Sequence, residues 1–295
     1  MVTTDGAVWP KQRLRLFPIK FTKAKSVEDY LEGKFTAGYP VLFSSGRVAL
    51  STVLKTFYNK DLVHLFPYAS QCVVKSVLNA NLIPATPLDS TVLDISYNQW
   101  GRFNTAIKMS PFIEDSIDSL YPIGAKILRS GADFEVWSLA KILGLKFGAI
   151  MWCKDQNQAH ELRRIRDNNT NTKLSILRLF LSLIKGWNPI CFRFWEKLEF
   201  RNLPLLSIEY GVISNSVSRW ERIYNNRLYI YKSVLRELLL QEFNFEIEYG
   251  SVIPVVIDLP LGFKLSCNRS VKSLHRVVGA DKPVKVNVIA YQEHL

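Results

Sequence analysis

Four short segments of the 295-residue chain carry side chains that could act together. Lys141 follows an apolar, strand-like run, Phe134 to Leu139, and lies three residues beyond Ser138. A lysine there is poorly explained as ordinary core. Partial desolvation would disfavour its ammonium form and lower its pKa, leaving a free amine able to form a Schiff base. The plainer alternative is a lysine that snorkels to solvent. Upstream, Pro111-Phe-Ile-Glu-Asp-Ser-Ile-Asp118 reads as a short strand ending in acids, and the C-terminal ends of strands are where α/β sheets bind ligands. Asp115 and Asp118 are the candidates, with a helix N-cap as the ordinary alternative. Phe43-Ser-Ser-Gly-Arg-Val-Ala-Leu50 is a small-residue turn running into a helix, whose free N–H groups and dipole would cradle a phosphate. Such turns are common, so this one means little alone. Arg219, Arg222 and Arg227, on a helical stretch from Ser207, read individually as a solvated basic face.

These residues need elements to hold them. Residues 1 to 40 form a Pro-, Lys- and aromatic-rich lead-in with a short helix over Ser26 to Glu32, where Ser26 caps and Asp29 completes a loose capping box. Val48, Leu50, Val53, Leu54 and Phe57 fall at helical spacing. Then follow an apolar run over Leu62 to Phe66, a helix over Gln71 to Ala80, and strands over Leu82 to Pro87, Phe112 to Glu114, Phe134 to Leu139 and Phe147 to Cys153. Strands alternating with helices predict an α/β sheet of mixed but mostly parallel strands. Beyond Asp155 the texture turns helical and basic: Ala159 to Arg166, Leu174 to Leu198, and a long helix from Ser207 to Phe243 that Gly211 or Asn225-Asn226 divides. The last 50 residues predict strands at Ser251 to Leu259 and Val284 to Ala290, with a short helix over Val271 to Val277. The expected organisation is a large α/β domain over 1–205, with a helical insert at about 157–200, and a smaller α+β domain over 206–295.

Lys and Arg outnumber Asp and Glu by 38 to 26, a formal charge of +12, which suits an anionic partner without choosing among nucleic acid, membrane and phosphorylated substrate. No helix-turn-helix, RNP or finger pattern accompanies the charge, so nucleic acid is not the expected partner. Cys72, Cys153, Cys191 and Cys267 are scattered and have no metal-ligand spacing with the four histidines, so free thiols in a reducing, cytoplasmic setting are expected and no metal site. The first fifteen residues hold no apolar core of signal-peptide length, so export is not expected. No apolar run reaches the length of a spanning helix.

The order turn, acid, lysine resembles the fold-type I pyridoxal-phosphate (PLP) enzymes, and most closely the DegT/DnrJ/EryC1/StrS group of sugar aminotransferases. Ser45-Gly-Arg-Val-Ala-Leu50 is similar to that group's Ser-Gly-Thr-x-Ala-Leu turn, Ile113-Glu-Asp-Ser-Ile-Asp118 to its Ile-Glu-Asp-Ala-Ala-Gln/His, and Ser138-Leu-Ala-Lys141 to the Ser-x-x-Lys segment of fold-type I enzymes. The resemblance covers roughly residues 26 to 260. It implies that Lys141 holds PLP, that Asp115 pairs with the pyridine nitrogen, and that Asp118 lies near the ring hydroxyl, where the group has Gln or His. Gly46 and Arg47 would offer N–H groups to the phosphate, with Ser45 in the same turn, and Ser138 would offer its hydroxyl. Tyr68 lies near the position of the aromatic that stacks on the ring. A homodimer using an amino-acid donor and a nucleotide-linked keto sugar for surface-polysaccharide synthesis is the implied enzyme. The interval between Ile95 and Pro111 is too short for a strand and helix the group usually has there. A degenerate relative serving as a binding or scaffold subunit would share these motifs, and visible absorbance separates the two.

Leu174 to Leu198 is apolar with interspersed Arg178, Lys185, Arg193 and Lys197 and with Trp187 and Trp195. It reads as helices packed on the large domain or at a dimer contact, or as a hairpin lying peripherally on a membrane surface with its tryptophans at the boundary.

Overall fold

The computed structural model describes residues 21–58, 62–66, 70–85, 93–98, 112–184, 188–239, 255–256, 271–278 and 282–289. A seven-stranded sheet forms the centre, built from β1 (Tyr39–Phe43), β2 (Leu62–Phe66), β3 (Ile83–Ala85), β4 (Leu93–Tyr97), β5 (Phe112–Asp115), β6 (Phe134–Ser138) and β7 (Ala149–Cys153) in the order β1-β7-β6-β5-β4-β2-β3. Strands β3, β2, β4, β5 and β6 run parallel, and β7 lies antiparallel to both β6 and β1. All five residues of β7 are buried, as a strand covered on both faces requires.

Strand alternation sorts the core into two layers. On one face, Val41, Phe43, Val136 and Met151 pack with Val48, Val53 and Leu54 of α2 (Gly46–Phe57) and Val73 and Val77 of α3 (Gln71–Asn79). On the other, Leu42, Trp137, Ile150 and Trp152 meet Val27 and Leu31 of α1 (Ala24–Glu32), Ile213 of α8 (Ser207–Val217) and Trp220 at the start of α9 (Trp220–Leu239). Phe35 packs edge-on against Trp137, Trp152 and Trp220 at 5.1–5.6 Å. Between these layers' helices come α4 (Leu139–Ile142), α5 (Gln156–Asp167), α6 (Thr172–Ile184) and α7 (Pro189–Glu199). Asp155 caps α5 through a full capping box, and Asn188 with Pro189 at the first turn starts α7.

Several expectations change. The first helix begins at Ala24 with Lys23 at its cap position and no side-chain cap bond, so Ser26 lies inside it; Glu28 anchors it instead, accepting from Leu42 N at 2.8 Å and pairing with Arg163 and Arg166. The long C-terminal helix divides at Ser218-Arg219, because Trp220 must enter the core and donate its Nε1–H to the Tyr121 carbonyl at 2.8 Å. Neither Gly211 nor Asn225-Asn226 breaks it. Val271–Val278 is a strand, β9, rather than a helix: it pairs along its whole length with β10 (Lys282–Ile289), which also pairs with β8 (Val255–Val256). Its β-branched residues suit a ladder, and the partner strand decides the matter. Leu93–Tyr97 is itself a full strand, paired directly with both β2 and β5. Most of Ser251 to Leu259 lies outside the described residues, as does Cys267.

Candidate active site

Strands β5 and β6 end side by side, and their C-terminal ends carry the acids and the lysine. Asp115 closes β5, fully buried, with its Oδ1 accepting the Ile117 N–H at 3.2 Å. Asp118, also fully buried, accepts from the Lys141 Nζ at 3.2 Å and from the Tyr97 hydroxyl. Lys141 rises from the four-residue helix α4 directly after β6, and its side chain is 29% exposed while Asp118 is sealed. The sequence-predicted residues Asp115, Asp118 and Lys141 therefore meet in one cluster.

The charges in this cluster oppose one another. Burial pushes the Asp115 carboxyl up to about 7, and the neighbouring Asp118 adds to the shift, against the pull of Lys141 and the Ile117 N–H. For Lys141, burial works against the charge, but the Asp118 and Asp115 carboxylates outweigh it and hold the amine above its ordinary range. This corrects the expectation that desolvation lowers the Lys141 pKa: the acids beside it decide the sign.

The turn before α2 comes to the same edge. Ser45 caps α2, its Oγ accepting the Val48 N–H at 3.3 Å, and its carbonyl accepts from Ala49 N at 3.0 Å. The N–H groups of Gly46 and Arg47 are thereby the first-turn donors left outside the helical ladder. A Cβ at Gly46 would stand 3.8 Å from Ile117 and 3.9 Å from Val136, which places the turn against the ends of β5 and β6. The Arg47 side chain reaches Cys72 Sγ at 3.1 Å and Glu199 at 3.7 Å, and lies over the rings of Trp195 and Phe200. Ser138 is half-buried and makes no cap bond to α4. Tyr68 lies outside the described residues.

Four further residues assemble the cluster, and sequence reasoning did not single them out for it. Tyr97, at the end of β4, holds Asp118. Gly148 joins the two halves: its N–H donates to the Ser44 carbonyl at 2.7 Å and its carbonyl accepts from Leu139 N at 3.1 Å. Its φ of +96°, and the 3.2 Å at which a Cβ would meet Ile213 and Leu139, strain any other residue there. Arg227, read as part of a solvated face, is instead 1% exposed and donates to the carbonyl of Ile142, beside Lys141. A buried guanidinium must find such an acceptor, whereas Arg222 is exposed as expected. Glu199, at the end of α7, accepts from Ser45 Oγ through its carbonyl and pairs with Arg47, bringing the helical insert against the turn. The helical pattern of α9 pointed to an inner stripe, but not to Arg227 on it.

Among solved structures, the chain is similar to the aminotransferase TlmJ of Streptoalloteichus hindustanus, at a TM-score of 0.58 and 14% identity, covering 85% of this chain and 78% of that one. PseC of Helicobacter pylori, an aminotransferase involved in the biosynthesis of pseudoaminic acid, matches at 0.54 and 11%, covering 81% and 71%. A Streptococcus pneumoniae protein described as "Putative sugar aminotransferase Spr1654" matches at 0.53 and 11%, covering 81% and 71%. Identities this low establish the shared fold, that of PLP-dependent transferases. A search of curated protein sequences returns no match. A family model described as "Putative PLP-dependent aminotransferase" matches residues 27–257, a span that contains the turn, both acids and the lysine, and the chain belongs to that family.

Proposed function

We propose that this PLP-dependent aminotransferase acts on a nucleotide-linked keto sugar, with an amino acid as nitrogen donor, as a member of the DegT/DnrJ/EryC1/StrS group. The observation that carries the reading is the Lys141 amine 3.2 Å from sealed Asp118 and beside sealed Asp115, at the strand ends that the N-terminus of α2 faces. The donor set fits the cofactor. An amine on a partly exposed side chain suits its aldehyde, a buried carboxyl raised to about 7 suits a ring nitrogen able to supply a counter-charge, and a helix N-terminus whose first N–H groups lie outside the helical ladder suits its phosphate. Bound PLP supplies an electron sink for charge developing at the substrate Cα.

In this reading Lys141 holds the cofactor and moves the proton at Cα, Asp115 faces the pyridine nitrogen, and Asp118 lies toward the ring hydroxyl. Gly46 and Arg47 donate backbone N–H groups to the phosphate, Ser138 adds its hydroxyl, and Ser45 shapes the turn. Tyr97 fixes the Asp118 carboxylate, which in turn sets where the Lys141 Nζ stands. An ammonium cannot attack a carbonyl, so Lys141 must shed a proton that its two acids favour keeping, and capture of the cofactor should quicken as pH rises. The sugar assignment draws support from the descriptions of PseC and Spr1654 and from the charge of +12, which suits a diphosphate. A homodimer, cytoplasmic placement and a division near residue 205 belong to the same reading.

The test has two parts. The purified protein is expected to show visible absorbance that borohydride removes, with the pyridoxyl group mapped to Lys141 and not to Lys146. Amine transfer from glutamate to a panel of nucleotide-linked keto sugars is then followed by mass. Absorbance without transfer to any sugar leaves the family and refutes the substrate; no absorbance at saturating PLP favours a scaffold subunit.

A further inference from the structure

The helical insert turns a large apolar surface to solvent. In α6, Ile176, Leu177, Phe180 and Leu183 are 55%, 44%, 54% and 37% exposed, and in α7 Ile190 and Phe194 are 61% and 58% exposed. Lys173, Ile176, Leu177 and Phe180 stand at i, i+3, i+4 and i+7, and so do Ile190, Arg193, Phe194 and Lys197; each set is one helical stripe. The opposite arcs are buried: Leu181 of α6 with Trp195 and Leu198 of α7 form a cluster with Leu203, and Arg178 is sealed against Glu209 at 2.5 Å. Each helix therefore spends its inner arc on the body and its neighbour, leaving the apolar stripe facing away. Buried Trp195 and Arg178 fit the reading of packed helices; only the membrane-surface alternative, with Trp195 at the boundary and Arg178 a surface cation, is corrected at these two residues.

Scattered surface hydrophobics need no explanation, but an apolar stripe on each of two helices packed together does. The charge around it identifies the occupant. Lys173, Arg193 and Lys197 are exposed along the stripes. The only acids of the hairpin are Glu196, held by Lys75 at 2.6 Å, and Glu199, buried. A two-fold contact between copies through this face would bring those cations near one another, whereas an anionic bilayer offers both an apolar layer and a counter-charge. We propose that the outer face of the α6–α7 hairpin docks on an anionic lipid surface, its isoleucine, leucine and phenylalanine side chains entering the headgroup boundary and its three cations meeting lipid phosphates. No described helix is long and apolar enough to cross a membrane, so the contact is interfacial. The proposal is independent of the sugar assignment.

The experiment is flotation of the full chain with vesicles of phosphatidylglycerol and phosphatidylcholine, or of phosphatidylcholine alone, at low and high salt. Expected is recovery with the anionic vesicles, falling roughly tenfold on neutral vesicles or at high salt. Phe180→Asn combined with Ile190→Asn and Phe194→Asn should abolish recovery, while Arg193→Glu with Lys197→Glu should abolish it on anionic vesicles at low salt. All these positions are exposed, and unchanged melting confirms the fold. No recovery of the wild type with anionic vesicles, or equal recovery of the triple variant, overturns the proposal. A dimer that the triple variant converts to monomer, without wild-type flotation, assigns the face to a second copy instead.

Discussion

Glu114 and Asp115 are neighbours on β5, and strand alternation sends them to opposite faces of the sheet. On the Glu114 side, neutral donors serve each acid. Glu114 accepts from Asn98 at 2.5 Å and from Ser130, and Glu135, across from it on β6, accepts from Leu128 N at 2.8 Å and Trp137 Nε1 at 2.7 Å. On the Asp115 side the counter-group is the amine of a partly exposed lysine side chain. Burial pushes Asp115 and Glu135 alike up to about 7. A shifted carboxyl alone thus fails to mark a site; a convergent cation, an opening and an anion-binding turn do. The Glu114 side instead pins the 120–131 segment, whose Leu128 has a φ of +56°.

The comparison can be broken most severely at Lys141. Lys141→Ala is expected to lower amine transfer by roughly 10³-fold or more, the scale of losing both a nucleophile and a proton carrier, and to abolish borohydride-stable labelling with unchanged circular dichroism. Asp115→Asn should reduce turnover by about 10²-fold and Asp118→Asn by about tenfold less than that, since in the proposed reading Asp115 would face the ring nitrogen and Asp118 would act through Lys141. Equal losses in steady-state kinetics would mean that the register of the motif is misread.

On the structural side, Glu135→Gln should cost about 1–3 kcal/mol in denaturant unfolding, because Leu128 N and Trp137 Nε1 reach different carboxylate oxygens and an amide has only one oxygen. Capture of PLP, followed by absorbance, should be nearly untouched. Gly148→Ala should cost a similar amount and also slow capture, since its two backbone bonds tie Ser44 to Leu139. The last effect is a slope. A carboxyl raised in the folded state binds its proton more tightly there, so its contribution is complete below the unfolded value near 4 and is lost as pH rises through about 7. Stability should therefore decline between those limits by on the order of 1 kcal/mol per pH unit for each group, and Glu135→Gln should flatten that slope in unfolding measured across the range.

Much of the seven-stranded sheet and its flanking helices is legible in the sequence. Ser45 before an apolar helical stretch, the buried run of β7 and the acids closing β5 are local signals, and each element lies where they point. The errors lie where a distant partner overrides local preference. Trp220 breaks a helix that Gly211 does not, because burying an indole and satisfying its N–H outweighs one glycine's propensity. The β9 segment has no intrinsic commitment, and its ladder with β10 makes it a strand.

The sequence by itself determined most elements of the sheet and its flanking helices, the mixed and mostly parallel sheet and the order of turn, acid and lysine, because hydrophobic period and capping residues act over a few positions. Only the tertiary structure decided the charge of Lys141, since that depends on two carboxylates more than twenty residues away in the chain, and on the burial that lets them outweigh desolvation. It alone brought Tyr97, Gly148 and Arg227 to the cluster, and it alone showed which arc of the α6–α7 hairpin is core and which meets water. Such facts depend on contacts across the fold, and no local pattern of residues encodes which distant partner will arrive.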